Sequence, residues 1–184
     1  DVLVVGPGLG QQAWGRSLLS GVALQRCAQV WDADALNLLA AGNVQLPADA
    51  ILTPHPGEAA RLLGLTIAQV QADRPAAARA LALRYQAVVV LKGAGSLIAA
   101  PDGRLALCDR GHPAMAGAGF GDVLGGVIGA LRAQQLPAFA AACLGVYLHA
   151  RAGELCGAAG RGLAAADLLA TIAGLLEECS PCVL

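Results

Sequence analysis

Aromatic residues are nearly missing from this sequence: two Trp, two Tyr and two Phe in 184 residues. The core must therefore be aliphatic, and the 57% apolar fraction supplies it, much of it Ala, Leu and Val. Charge is also scarce, at 14% of residues, and the formal net charge is −1. That balance gives no electrostatic case for a nucleic acid or a membrane surface as partner. No apolar run reaches the length of a transmembrane span. The longest, around Val123–Leu131 and Phe139–Leu148, are bounded by Asp122, Arg132, His149 and Arg151 and read as buried helices. No stretch of these residues reads as a signal peptide, and a cytoplasmic protein is expected. Asp1 opens the chain without an initiator Met, so we expect processing or a longer polypeptide. The cysteines Cys27, Cys108, Cys143, Cys156, Cys179 and Cys182 are irregularly spaced, with one CxxC at Cys179–Cys182 and no second pair. A zinc site needs four ligands, so no metal site is assigned. Buried free thiols in a reducing compartment are expected, and disorder for the CSPC tail.

The chain does hold short apolar runs alternating with helical spacing. Val2–Val5 reads as a strand buried on both faces, ended by Gly6-Pro7-Gly8-Leu9-Gly10. Gln12–Cys27 shows helical spacing through Trp14, Leu18, Val22 and Leu24. Strands at Gln29–Trp31 and Ala50–Leu52 alternate with helices at Ala33–Ala41 and Glu58–Leu63, the latter ended by Gly64. Ile67–Val70 reads as a turn and Arg74–Arg84 as a helix with Pro75 in its first turn. Ala87–Leu91 is a buried strand leading to Lys92-Gly93-Ala94-Gly95. Ser96–Ala100 and Arg104–Cys108 flank Pro101-Asp102-Gly103, a hairpin signature. Helices at Gly121–Gln134, Pro137–Cys156 and Ala165–Glu178 complete the chain. Nothing splits it, so one α/β domain is expected: a three-layer α/β/α sandwich with a mostly parallel sheet. Ligands in that architecture sit at the carboxyl ends of the strands. This selects the loops Gly6–Gly10, Asp32–Asp34, Thr53–Glu58 and Lys92–Ser96, which are also the polar and glycine-rich ones.

The central stretch is Gly111–Gly129, GHPAMAGAGFGDVLGGVIG, in which small residues lead to one carboxylate and a helical apolar run. Glycine admits close backbone approach, and the first amides of a helix are unpaired donors that suit phosphate. Asp122 there is either a base or cation anchor beside phosphate, or an N-capping residue of a packing helix. Lys92 either neutralises a phosphate, with the amides of the following glycine turn beside it, or is solvated at a strand end. His55 between two prolines is held stiffly, for substrate or for a local hydrogen bond. Glu58 suits a helix cap or a chemical role. Of Asp32 and Asp34, one is expected to reach the site and the other to cap the helix. His112 has no assigned role. His149 and Arg151 lie on an apolar helix, with His149 expected to be partly buried and satisfied. Met115 and Phe120 read as packing residues.

Together these segments resemble the ADP-dependent NAD(P)H-hydrate dehydratases, a branch of the ribokinase-like fold. The resemblance rests on VVGPGLG at Val4–Gly10, DADALNLL at Asp32–Leu39, LTPHPGEAARLLG at Leu52–Gly64 and VVVLKGAGSLIAAPDGR at Val88–Arg104. GHPAMAGAGFGDVLGGVIGAL at Gly111–Leu131 and YLHARAGELCGAAGRGLAAADLL at Tyr147–Leu169 complete the ordered set. It implies dehydration of NADHX or NADPHX to NADH or NADPH, with ADP (or ATP) as co-substrate and Mg²⁺. Phosphoryl transfer to the ring hydroxyl would precede elimination of phosphate. By this resemblance Asp122 is the base towards that hydroxyl, and Gly10, His55 and Asp122 contact the hydrated cofactor. Lys92, Gly93, Ala94, Gly95, Ser96 and Gly121 bind the nucleotide.

Two departures stand out. Gly119-Phe120-Gly121-Asp122 occupies the place of a GTGD-like sequence, so a large ring either removes a hydrogen bond or crowds the anion hole. The chain also resembles the family from a middle strand onward. Residues 1–184 are thus expected to be one N-terminally incomplete ribokinase-like domain, lacking the N-terminal strands. An exposed sheet edge would follow, covered in a longer polypeptide fused to an NAD(P)H-hydrate epimerase domain or by homo-oligomerisation. The competing readings are a small-molecule kinase of the same fold acting on a vitamin-precursor alcohol, and a non-catalytic nucleotide-binding domain.

Overall fold

The alternation of apolar side chains along the strands builds two buried faces of one sheet. The computed structural model describes residues 1–158, 160 and 162–179. Strands β1 (Val2–Val5), β2 (Ala28–Trp31), β3 (Ala50–Leu52), β4 (Val88–Leu91), β5 (Ser96–Ala99) and β6 (Leu105–Cys108) lie in sequential order. The pairs from β1 to β4 are parallel, and β5 and β6 form an antiparallel hairpin on β4. Trp31, Leu52, Val89 and Leu91 point to one face, and Val30, Ile51, Val88 and Val90 to the other. Parallel neighbours in sequence need crossovers of one hand, which place every crossover helix on the same face. Accordingly α1 (Ala13–Ala23), α2 (Ala33–Ala40), α3 (Pro56–Leu63), α4 (Ile67–Ala72) and α5 (Arg74–Tyr85) share the core with the first face. The second face is covered by α6 (Phe120–Ala133) and α7 (Ala138–Gly157), and α8 (Leu168–Cys179) packs outside them. The fold is the mostly parallel α/β/α sandwich expected, and the carboxyl ends of β1 to β4 meet on one edge.

Buried polar groups show how tightly the frame is specified. Trp31 is fully buried, and its indole N–H donates to Gln29 Oε1 at 2.8 Å. The Gln29 amide in turn donates to the Val22 and Gln25 carbonyls at 2.8 and 3.2 Å, tying β2 to the end of α1. A buried indole N–H without such a partner would cost free energy.

Three local expectations are corrected. β1 is an edge strand, and Val4 on it is 42% exposed, so Val2–Val5 is not buried on both faces. On α1 the side chain that reaches the core is Leu19, while Trp14, Leu18 and Leu24 are exposed. Ile67–Ala72 is a helix, not a turn, because Thr66 and Gln69 form a capping box that satisfies its first amides. The thiols of Cys108 and Cys143 are free, and burial pushes both pKa values up. Of the CSPC tail at Cys179–Cys182, for which disorder is expected, Cys179 ends helix α8 and the remaining residues lie outside the described residues.

Candidate active site

β4 ends in the fully buried Val90 and Leu91, and the chain then turns away through Lys92–Ser96. The Lys92 amide donates to the Pro54 carbonyl at 2.8 Å, which fastens this turn to the loop after β3. The turn walls a cleft of about 540 Å³ together with the first turn of α6 and the loop from Asp109 to Ala116. Gly93, Ala94, Gly95 and Ser96 line one side, and Phe120 and Gly121 another. Among the described residues the amides of Gly93, Ala94 and Gly95 donate to no protein acceptor. Gly119 precedes α6 with no side-chain cap, so the first amides of this 14-residue helix are unpaired as well. Two sets of free amides therefore converge on one cleft, an arrangement suited to an anion. The inner wall is apolar, formed by Leu124, Val146, Ala150 and Met115.

Beneath Gly121 lies a buried ion pair. Lys92 Nζ meets Asp32 Oδ1 at 2.6 Å, with the lysine side chain 19% and the aspartate 3% exposed. A Cβ at position 121 would lie 3.2 Å from that ammonium and 3.4 Å from the carboxylate, so the start of the helix packs closely on the pair. Lys92 is thus neither solvated nor free: it is already neutralised. Asp32 caps nothing. Asp34 accepts from the Gly10 amide at 2.9 Å and from Gln11 Nε2 at 2.8 Å, which fixes the turn after β1 and holds its carboxyl below the usual range.

Asp122 follows Gly121 in the same helical turn and is exposed. Among the described residues it makes no hydrogen bond or ion pair, and the capping reading is not realised. His55 caps α3: its Nδ1 accepts from the Gly57 amide at 2.9 Å, while Glu58 Oε2 accepts from the His55 amide at 2.8 Å. The local reading of both residues is therefore met. The His55 side chain stays half exposed, with Nε2 3.4 Å from Glu58 Oε1. Neither Gly10 nor His55 lines the cleft; both sit on the same carboxyl edge, in the loops after β1 and β3.

Phe120 is packed into the helical layer with Leu148, Leu168 and Ile172 at 5% exposure, so the ring is used for anchoring the start of α6. Met115 packs against the same cluster. The loop over the cleft is pinned by Glu154, which accepts from the Gly111 amide at 3.2 Å and pairs with Arg151 at 2.8 Å and Arg110 at 3.9 Å. His112 Nδ1 accepts from the Ala114 amide at 3.2 Å and caps the 3-10 turn Pro113–Ala116 in that loop.

His149 departs from expectation. It lines the cleft at 8% exposure, meets the Phe120 ring edge-on at 6.5 Å, and its Nε2 has no hydrogen-bond partner among the described residues. Burial first, and the Lys92 ammonium as a smaller cause, hold its pKa down to about 4, against an opposing hydrogen bond with the Phe120 backbone. The imidazole is therefore neutral in the fold, while in the unfolded chain it takes up a proton near pH 6.5. Its contribution to stability is complete above pH 6.5 and lost as pH falls towards 4, amounting to about 3 kcal/mol. Replacing His149 by Phe should flatten the dependence of the denaturation midpoint on pH across that window. Parallel curves for the two proteins would contradict the buried neutral imidazole.

Two groups here escaped the sequence reading. The Lys92–Asp32 pairing joins residues 60 apart, and no local pattern announces it. Arg74, the first residue of the helix read over Arg74–Arg84, reaches the Lys92–Ser96 turn; the helix was legible and this contact was not.

Comparison with known proteins bears on this cleft. The family model described as NAD(P)H-hydrate dehydratase matches residues 1–173. A bifunctional NAD(P)H-hydrate repair enzyme of Escherichia coli (strain K12) is 48% identical over 174 residues, covering 94% of this chain and 34% of that protein. An ADP-dependent (S)-NAD(P)H-hydrate dehydratase of Neisseria meningitidis serogroup B is 47% identical over 163 residues, covering 83% of this chain and 54% of that one. Among solved structures, the ADP/ATP-dependent NAD(P)H-hydrate dehydratase of Bacillus subtilis co-crystallized with ATP/Mg²⁺ superposes with a TM-score of 0.85 at 32% identity. That match covers 97% of this chain and 65% of the other. The chain thus spans about a third of the length of the Escherichia coli relative and about half of the Neisseria one.

Proposed function

The chain belongs to the NAD(P)H-hydrate dehydratase family, and on that premise we propose that it dehydrates (6S)-NADHX and NADPHX to NADH and NADPH at the expense of ADP. The observation that carries the reading is the convergence of free amides from the Gly93–Gly95 turn and the start of α6 on one cleft, with Asp122 exposed in the same helical turn. The amides of both segments are suited to the phosphates of the nucleotide, and the apolar inner wall to its base. Asp122 takes the proton of the ring hydroxyl as that oxygen attacks the terminal phosphorus of ADP, and AMP leaves. Loss of phosphate and of a ring proton then restores the double bond. The elements of water depart within the phosphate, so NADHX and ADP give NADH, AMP and phosphate. Phosphoryl transfer asks for positioning and charge stabilisation more than for covalent help, which is what fixed amides provide.

Gly10 and His55, on the neighbouring loops, are assigned to the hydrated cofactor. His55 has only its Nε2 and ring face to offer, since Nδ1 is engaged by Gly57. Among the described residues no group of three or more His, Cys, Asp or Glu side chains is placed around a common point. That donor set fits Mg²⁺ carried by the nucleotide phosphates and water, with at most one carboxylate; the ion would supply charge neutralisation on the transferring phosphoryl group. The open edge of β1 with half-exposed Val4, and Trp14 and Leu18 on α1, are the surfaces we expect the N-terminal strands of a longer polypeptide, itself fused to an NAD(P)H-hydrate epimerase domain, or a second copy of the chain to cover.

The test is absorbance at the NADH band with NADHX, Mg²⁺ and either ADP or ATP. Recovery of the band with ADP is the expected result. A stable phosphorylated product formed from ATP would favour the kinase reading, and nucleotide binding without turnover the non-catalytic one.

A further inference from the structure

We propose that Arg74 is a positioning residue for the nucleotide-phosphate turn: from the first turn of α5 it holds the carbonyls of that turn to the rear, so that the amides face the cleft. The inference rests on the nucleotide reading of the cleft and adds to it a residue outside the cleft wall.

The geometry is specific. One terminal nitrogen of Arg74, Nη2, donates to the Gly95 carbonyl at 3.0 Å and to the Leu91 carbonyl at 3.3 Å, with a weaker approach to the Lys92 carbonyl at 3.5 Å. The Gly93 carbonyl is occupied separately, accepting from Ser96 Oγ at 3.2 Å. Every carbonyl from Leu91 to Gly95 except that of Ala94 is therefore bound. The amides of Gly93, Ala94 and Gly95 have no protein acceptor among the described residues. Each carbonyl shares its peptide plane with the amide of the next residue and points the opposite way. The Lys92 carbonyl therefore sets the Gly93 amide, and the Gly93 carbonyl the Ala94 amide. The bonds to Leu91 and Gly95 clamp the two ends of the turn, the Lys92 amide being spent on Pro54. Successive amides held that way form an anion-binding concavity.

Gly93 is the matching half of the device. Its φ is +145°, and a Cβ there would lie 2.4 Å from Nη1 of Arg74, so the guanidinium occupies the space that any side chain at this position would take. Burial presses the guanidinium pKa downward, but arginine remains charged at any pH the fold survives. A fixed cation thus stands directly behind the amides and adds attraction for a polyanion. Lysine does not substitute for it: the rigid guanidinium puts Nη2 on the carbonyls and Nη1 in the space beside Gly93 at once, whereas an ammonium is a single point that fills only one of these places.

The experiment compares wild type with Arg74→Lys, Arg74→Met and Gly93→Ala. ADP binding is measured by calorimetry and turnover by NADH recovery. On the order of 10- to 100-fold weaker ADP binding and a matching rise in the nucleotide KM are expected in all three, with kcat within a few-fold. Lysine should fail to rescue. ADP-like affinity in Arg74→Lys or Arg74→Met equal to wild type overturns the role. So does a loss confined to kcat. Should the variants not fold, the amide resonances of Gly93, Ala94 and Gly95 in the wild-type protein carry the test: ADP must shift them, and ADP binding that leaves them unmoved overturns the proposal. Wild type that binds neither ADP nor ATP overturns the nucleotide reading itself, a failure visible before any variant is made.

Discussion

Asp122→Asn is expected to lower kcat for NADHX dehydration by roughly 10²- to 10⁴-fold, the range a positioned general base contributes. Asparagine keeps the shape of the side chain and removes its ability to take a proton. The fold should not notice. Asp122 is exposed and makes no hydrogen bond or ion pair among the described residues, so the change in stability should stay within about 0.5 kcal/mol. A carboxylate in the first helical turn does favour the dipole, but by only a few tenths of a kcal/mol at an exposed position. Nucleotide binding should be unchanged or tighter, because a negative charge beside bound phosphates is removed. This combination separates chemistry from binding: a dead enzyme that melts like wild type and still holds ADP. A variant with kcat within about threefold of wild type would take Asp122 out of the reaction, and the exposed carboxylate would then be no more than a favourable dipole partner.

The parts of this fold that were legible in the sequence are those with both local pattern and two-sided burial. Ala50–Leu52 and Val88–Leu91 are all-apolar because both faces of the sheet are covered at that point, by α2, α3 and α5 on one side and α6 and α7 on the other. Val2–Val5 carries the same pattern and lies at the edge, where composition does not report position. Trp14 and Leu18 announced a helix but not its buried face, since that is decided by where the sheet ends. The helix at Ile67–Ala72 had its signal in Thr66 and Gln69, outweighed by its shortness.

The site divides in the same way. A glycine turn after a buried strand is a local feature, and so Lys92–Ser96 and the stretch before α6 were both found. What each charged side chain does was not local. Asp32 lies 60 residues from Lys92, and Arg74 is brought to Gly95 only because α5 packs beside β4 and β5. His149 was expected to be satisfied because nearly all buried imidazoles are; its unpartnered Nε2 is a property of the packing between α6 and α7.

The Lys92–Asp32 pair carries the second large expectation. Lys92→Met should destabilise the protein by roughly 3–5 kcal/mol, since it leaves a carboxylate that is 3% exposed with no counter-charge. For a domain of this size each kcal/mol moves Tm by about 2–4 °C, so a fall of at least roughly 6 °C is expected in thermal denaturation. Asp32→Asn should cost less, because the lysine side chain is 19% exposed and its ammonium can turn towards water. The asymmetry is diagnostic: equal losses from the two variants would mean that the pair is worth its contact alone and that burial of the carboxylate is not the controlling term. The double variant Lys92→Met with Asp32→Leu then resolves what the ammonium is for. Removing both charges relieves the desolvation of the aspartate and should recover most of the lost stability. If the stable double variant binds ADP as wild type does, Lys92 serves Asp32 and the amides alone hold the phosphates. If it melts like wild type and has lost ADP, the ammonium, which lies on the cleft wall, is shared between the carboxylate and the nucleotide.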